Sequence, residues 1–264
     1  MIPDIHIHTY LCHHAEGQPQ DYLAYAETKS IPAICFTDHA PTPHNYDVEC
    51  RMSMDDFPFY QKMIKELKSS RTKVLIGIEA DYYPGAEKFL SEWLPKQKLD
   101  LVIGSVHYIN DWGFDNPKFA DRWKKVDVEV IWEKYFELLC KLVDLHLFDI
   151  VGHLDVTKRF GFKPSTDTIK QLAGKAMDKI AKAKMAIEIN TSGLRRPVGE
   201  IYPSADLLKM ARERNIPIVF GSDAHKPDEV GYAFDKAIEL AKNCGYNEML
   251  IFNNRQAEPL PLPG

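Results

Sequence analysis

The chain has 264 residues, 45% hydrophobic and 27% charged, with a formal charge of −5. This is the balance of an ordinary globular protein rather than of a disordered or membrane chain, and with no Lys/Arg-rich stripe no nucleic-acid partner is expected. Five scattered cysteines without a CxxC pair argue against a disulfide framework or a zinc ribbon, and with no leader-like or spanning segment a cytoplasmic protein without a membrane partner is expected.

Along the chain, short apolar, β-branched runs at residues 5–8, 33–37, 74–78, 101–106, 150–153, 186–190, 218–222 and 249–252 read as buried strands. Helical patterns over 21–29, 57–68, 128–147, 166–184, 205–214 and 229–243 fall between most of them. Strand and helix alternate throughout, which implies parallel strands joined by right-handed crossovers. Seven or eight units favour a closed barrel over an open sheet, and no glycine-rich nucleotide loop follows any strand. The whole chain, 1–264, is expected to form one domain, with the Pro-Leu-Pro-Leu-Pro stretch at 259–263 as an extended terminus. Two irregular connections, 40–56 and 108–125, follow strands directly and would sit over the C-terminal mouth, where barrel active sites are built.

The strand ends carry the chemistry. His6 and His8 close the first run, Asp38 and His39 follow the second, and Glu79 and Asp81 the third. His107 follows the fourth, His153 ends the fifth, and Asp223 with His225 closes the seventh. Seven of the ten histidines, His14 included, fall at or just past strand ends. Residues i and i+2 of a strand share a face, so His6 and His8 can bind one ion together, and Glu79 can bridge two ions through its two oxygens. Imidazole with carboxylate suits zinc, iron or manganese rather than calcium. A lone histidine such as His153 is more often a hydrogen-bonded core residue, and Asp38 or Asp223 can serve as caps. As a set at one rim they would be costly to bury without cations.

At these residues the sequence resembles the PHP (polymerase and histidinol phosphatase) family. The motifs are D-I-H-I-H-T (4–9), F-T-D-H (36–39), G-I-E (77–79), G-S-V-H (104–107), G-H-L-D (152–155) and G-S-D-A-H (221–225). The resemblance implies a distorted (β/α)7 barrel of PHP type with a metal site of three divalent ions at its C-terminal mouth. It implies one ion with His6, His8, Glu79 and Asp223, a second with Glu79, His107 and His153, and a third with His14, His39 and His225. For the third, His13 and Glu16 stand close to His14 as alternatives. The segments N-T-S-G-L-R (190–195), G-E-I-Y-P-S (199–204) and H-L-D-V-T-K (153–158) look like the histidinol-phosphatase branch.

That branch implies a phosphoric monoester hydrolase converting L-histidinol phosphate to L-histidinol and phosphate, a step of histidine biosynthesis. Lys158, Arg159 and Arg195 become candidates for holding the phosphate, with Arg196 facing solvent. The expected nucleophile is a metal-bound hydroxide, with Asp223 and His225 as the catalytic groups near the departing alkoxide. The alternatives are a related enzyme acting on phosphotyrosine, a nucleotide or a nucleic-acid end, and a metal-binding barrel without turnover.

Overall fold

The computed structural model describes the backbone of residues 1–264 and every side chain except that of Asn45. The first half runs β1 (Asp4–Ile7), α1 (Pro19–Thr28), β2 (Ala33–Phe36), α2 (Phe57–Glu66), β3 (Lys73–Asp81), α3 (Glu87–Trp93) and β4 (Leu101–Ser105). A small hairpin, β5 (Tyr108–Ile109) and β6 (Trp112–Gly113), precedes α4 (Val128–Asp144), β7 (Ile150–Val151), α5 (Thr166–Ala183) and β8 (Ala186–Asn190). The chain ends with α6 (Ala205–Glu213), β9 (Ile218–Gly221), α7 (Phe234–Asn243), β10 (Glu248–Asn253) and β11 (Gln256–Pro261).

Seven parallel strands pair in the order β1-β2-β3-β4-β7-β8-β9. The His8 N–H donates to the Ala224 carbonyl at 2.9 Å, which joins the first strand to the segment after the last and draws the sheet into the expected barrel. The helices are set by ordinary local signals. Asp127 accepts the N–H groups of Glu129 and Val130 at the start of α4, and Ser165 accepts that of Thr168 at the start of α5. The inner stripe of α4 buries Ile131, Trp132, Tyr135, Leu139 and Leu142, each worth roughly 1.5–3 kcal/mol of apolar burial.

Strand alternation divides the two faces of the sheet. On β3, Ile76, Ile78 and Ala80 belong to the apolar layer under the helices. Leu75, on the opposite face, joins Ile5, Cys35, Leu101, Ile103, Ile150 and Val219 in a separate cluster that fills the floor of the barrel. Glu79 and Asp81 continue the Leu75 face upward, so one strand passes from an apolar floor to a charged mouth within a few residues.

Three expectations need correction. The run at 249–252 is not an eighth barrel strand: β10 pairs antiparallel with β11, and Phe252 adds to the floor cluster from outside the parallel sheet. The proline-rich end is partly strand, because its alternate prolines need donate nothing to the ladder on an edge. The expected helix 229–243 begins only at Phe234, since Gly231 and Ala233 take positive φ of 65° and 53°. The short α3 escaped the sequence reading, and the 108–125 connection is ordered by the β5–β6 hairpin and a 3₁₀ stretch, Pro117–Lys125. No helix among the described residues is long and apolar enough to cross a membrane.

Candidate metal centre

His6 and His8 are fully buried, and their Nε2 atoms face each other at 3.1 Å. Glu79 Oε2 lies 3.4 Å from His6 Nε2 and 3.6 Å from His8 Nε2. Asp223 Oδ1 stands 3.2 Å from His8 Nε2. The other oxygen of Glu79, Oε1, lies 3.0 Å from His153 Nε2 and 3.7 Å from His107 Nε2. Those two imidazole nitrogens again face each other at 3.1 Å. One carboxylate therefore separates two histidine pairs, an oxygen to each, in the grouping expected of a bridging ligand.

A third group lies beside the first. Ligand atoms of His8, His39 and His225 converge, as do those of Cys12, His14 and His225. The ring of His14 stacks on that of His225 with centroids 4.8 Å apart, and its Nδ1 bonds the Cys12 carbonyl at 2.7 Å, leaving Nε2 for the cluster. Glu16 is instead paired with Lys226 at 3.0 Å on the surface. Of the three neighbours considered in the sequence, His14 is the one packed against the cluster.

Three carboxylates orient these rings, and of them Glu188 was overlooked in the sequence. Glu188, wholly buried on β8, holds His6 Nδ1 at 2.7 Å with one oxygen and accepts the His153 N–H at 2.9 Å with the other. Gly221 makes this possible, because a Cβ there would lie 1.9 Å from Glu188 Oε1. Asp81 Oδ1 holds His107 Nδ1 at 2.5 Å, and its Oδ2 is met by the buried Arg51 at 2.8 Å. Asp38, bonded by Thr9, lies 3.4 Å from His8 Nδ1. Carboxylates on the outer nitrogen fix the tautomer and aim the inner one. The signal for Glu188 was available: it sits mid-strand on the same face as Asn190.

The electrostatics follow from crowding. Burial opposes charge on His6, yet Glu188, Glu79 and Asp223 outweigh it and raise its pKa well above the ordinary value. Burial also opposes charge on Glu79 and Asp223, but the surrounding imidazoles hold both carboxyls well below the usual range. For His39 and His225 burial dominates and keeps the rings neutral. The donor set fits divalent cations. Two rings whose outer nitrogens donate to carboxylates turn bare inner nitrogens onto partners 3.1 Å away, His39 Nδ1 lies 3.1 Å from Glu79 Oε2, and the Nδ1 of His153 is buried without a partner. Protons can relieve only part of such a site.

The three expected phosphate residues separate. Arg195 Nη2 donates to the carbonyls of Ser222 at 2.9 Å and Asp223 at 3.1 Å, its Nε lies 3.1 Å from Glu229, and its Nη1 is buried without a partner. Arg159 has a buried, unpartnered Nε and meets Asp115 at 3.6 Å. Lys158 has a different role: it is 1% exposed, and its ammonium is engaged by the Ile201 carbonyl at 2.8 Å, Asp155 at 2.9 Å and Glu200 at 3.3 Å. Its cation braces the 191–204 connection against the turn after His153. Arg196, expected in solvent, is half-buried with an unpartnered Nε.

The sequence pattern of the PHP domain matches residues 4–192, and that of the PHP-associated segment matches 207–243. The chain is 40% identical to the Deinococcus radiodurans protein named "Probable histidinol-phosphatase", over 97% of this chain and 98% of that one. It is 29% identical to the histidinol-phosphatase of Bacillus subtilis, over 89% of this chain and 98% of that one. The fold is shared with the crystal structure of histidinol phosphate phosphatase from Lactococcus lactis, complexed with zinc, L-histidinol and phosphate. There the TM-score is 0.83 at 21% identity, covering 98% of this chain and 100% of that one.

Proposed function

The chain belongs to the PHP family, and on that premise we propose that it is a metal-dependent phosphatase that hydrolyses L-histidinol phosphate to L-histidinol and phosphate. The observation that carries this reading is Glu79, one buried carboxylate shared between two histidine pairs, with unsatisfied guanidinium groups close by. The likeness at 40% identity, over 97% of this chain, to a protein named "Probable histidinol-phosphatase" supports the substrate, and the zinc, histidinol and phosphate in the Lactococcus structure are consistent with it.

In this reading three divalent ions, zinc, iron or manganese, would be held by His6, His8, Glu79 and Asp223, by Glu79, His107 and His153, and by His14, His39 and His225. When bound, such ions activate water and neutralise the charge of a phosphate. The chain's own part is to aim and clamp. Glu188, Asp81 and Asp38 keep the rings in place, so little reorganisation is needed when substrate arrives. Arg195 and Arg159 offer their free N–H groups to the outer phosphate oxygens, and a guanidinium suits this because it presents parallel donors. Asp223 is held ionised by the surrounding imidazoles, and it and His225, 3.5 Å away, are the groups this reading assigns to proton transfer between the attacking water and the departing alkoxide. The substrate is a small ester, and the single 1–264 unit would act in the cytoplasm, a reducing setting consistent with its five free cysteines.

The test is a panel of esters on metal-defined protein: histidinol phosphate against phosphotyrosine, nucleotides and a nucleic-acid end. Preference for histidinol phosphate, lost on chelation and restored by metal, is expected. Preference for another ester would refute the substrate, and full activity in metal-free protein would refute the mechanism.

A further inference from the structure

The hairpin β5–β6 leads into a carboxylate that the metal centre does not use. Phe114, wholly buried, donates its backbone N–H to the carbonyl of His107 at 3.2 Å, and its own carbonyl accepts the Trp123 indole N–H at 2.7 Å. On the other side, the Asn116 N–H donates to the Gly113 carbonyl at 3.2 Å, and its side chain accepts the Lys118 N–H at 2.9 Å. Asp115 is thus presented from a fixed corner, one residue beyond a backbone bonded to the strand end that carries His107. Its side chain is 19% exposed and faces Arg159 Nη1 at 3.6 Å, beyond hydrogen-bond reach. Asp81, Glu188 and Asp38 are turned onto histidine rings, and Glu79 and Asp223 onto the cluster between them. Two carboxylates meet candidate phosphate arginines: Glu229 is engaged by Arg195 Nε at 3.1 Å and by the His225 N–H at 2.8 Å, whereas Asp115 has only Arg159 at 3.6 Å.

We propose that Asp115 binds the ammonium of an amino-alcohol phosphate, and so distinguishes that class of substrate from other phosphate monoesters. The proposal rests on the phosphatase reading above. In histidinol phosphate the ammonium-bearing carbon is joined to the ester oxygen through one methylene, so ammonium and phosphate lie close together. A phosphate gripped by Arg159 therefore brings the ammonium to the neighbourhood of the carboxylate beside that arginine. Arg159 would serve both groups: Nη1 faces Asp115, and the buried Nε has no partner within the chain. At 3.6 Å the pair makes no hydrogen bond, so Arg159 alone does not satisfy the carboxylate. With an ammonium between carboxylate and solvent, Asp115 gains the charge-assisted hydrogen bond it lacks.

The experiment compares wild type and Asp115→Asn, both metal-loaded, on histidinol phosphate and on 3-(imidazol-4-yl)propyl phosphate, the same ester without the amine. The expected result is a loss of kcat/KM on histidinol phosphate about 10- to 100-fold greater than the loss on the amine-free ester. Both esters are read on one variant, so a general loss of fold, metal or phosphate grip lowers the two together. Equal losses overturn the role of Asp115 and leave the phosphatase reading intact. A wild type that hydrolyses the amine-free ester but not histidinol phosphate removes the substrate reading and this proposal with it.

Discussion

Two buried polar clusters flank the mouth of this barrel, and they are satisfied differently. Around Lys158, the ammonium is enclosed by Asp155, Glu200 and the Ile201 carbonyl, and Asp155 also accepts the Ser204 N–H at 2.9 Å. Its cation comes from the chain. Around Glu79, carboxylates and imidazoles crowd together with Arg51 reaching only Asp81 at its edge, and the Nδ1 of His153 is left buried and unpaired. Buried charge has to be compensated from somewhere. Where the chain supplies the compensation the cluster braces the fold, and where it does not, the cluster is built for cations from outside.

The comparison breaks most readily at Glu79. Replacement by Gln should lower phosphatase activity roughly a thousandfold and deplete bound metal, read by turnover and elemental analysis; retained metal at full occupancy would contradict the bridging role. Lys158→Met should instead act on the fold, costing about 3–5 kcal/mol in denaturant unfolding by stranding Asp155, while metal per folded molecule stays unchanged. Asp81→Asn sharpens the contrast from within the metal cluster. It leaves the ligands in place but releases the His107 ring, so metal affinity should weaken about 10- to 100-fold in a competition titration. Arg195→Ala should reduce kcat/KM by about 10-fold or more and leave metal content alone; a loss of metal instead would assign Arg195 to holding the Ser222–Asp223 backbone.

The smallest effect is one of pH, in metal-free protein. Burial opposes charge on His107, yet Asp81 and Glu79 raise its pKa from 6.5 to about 10. A raised value in the folded state adds stability that is fully present below the unfolded value and is lost as pH rises through the folded one. The melting temperature of the metal-free form should therefore fall between about pH 6.5 and 10. Metal-loaded protein, with the ion in place of that proton, should show a shallower fall. Parallel curves would mean that the His107–Asp81 pair contributes nothing measurable.

Much of this was legible in the sequence because it is periodic. Alternating strands and helices gave the parallel barrel, and the two-residue spacing of His6 and His8 put both on one face, where their Nε2 atoms meet. The same alternation brought out Asp81 as a strand-end carboxylate but not Glu188, because a carboxylate that orients a ring has no spacing of its own, and its partner lies as far as 182 residues away. Lys158 shows the opposite limit. A lysine just past a histidine strand end looks like a phosphate ligand until its three partners are seen, and one of them is a main-chain carbonyl that carries no mark in the sequence.

By itself the sequence determined which residue types stand at the strand ends, since side-chain period and chain order are local properties of the polypeptide. Only the tertiary structure decided which oxygen of Glu79 faces which pair, that His14 rather than Glu16 turns to the cluster, and that one cation is consumed in bracing the fold. Those outcomes depend on competition among charges brought together by closure of the sheet, and neighbours along the chain have no part in that competition.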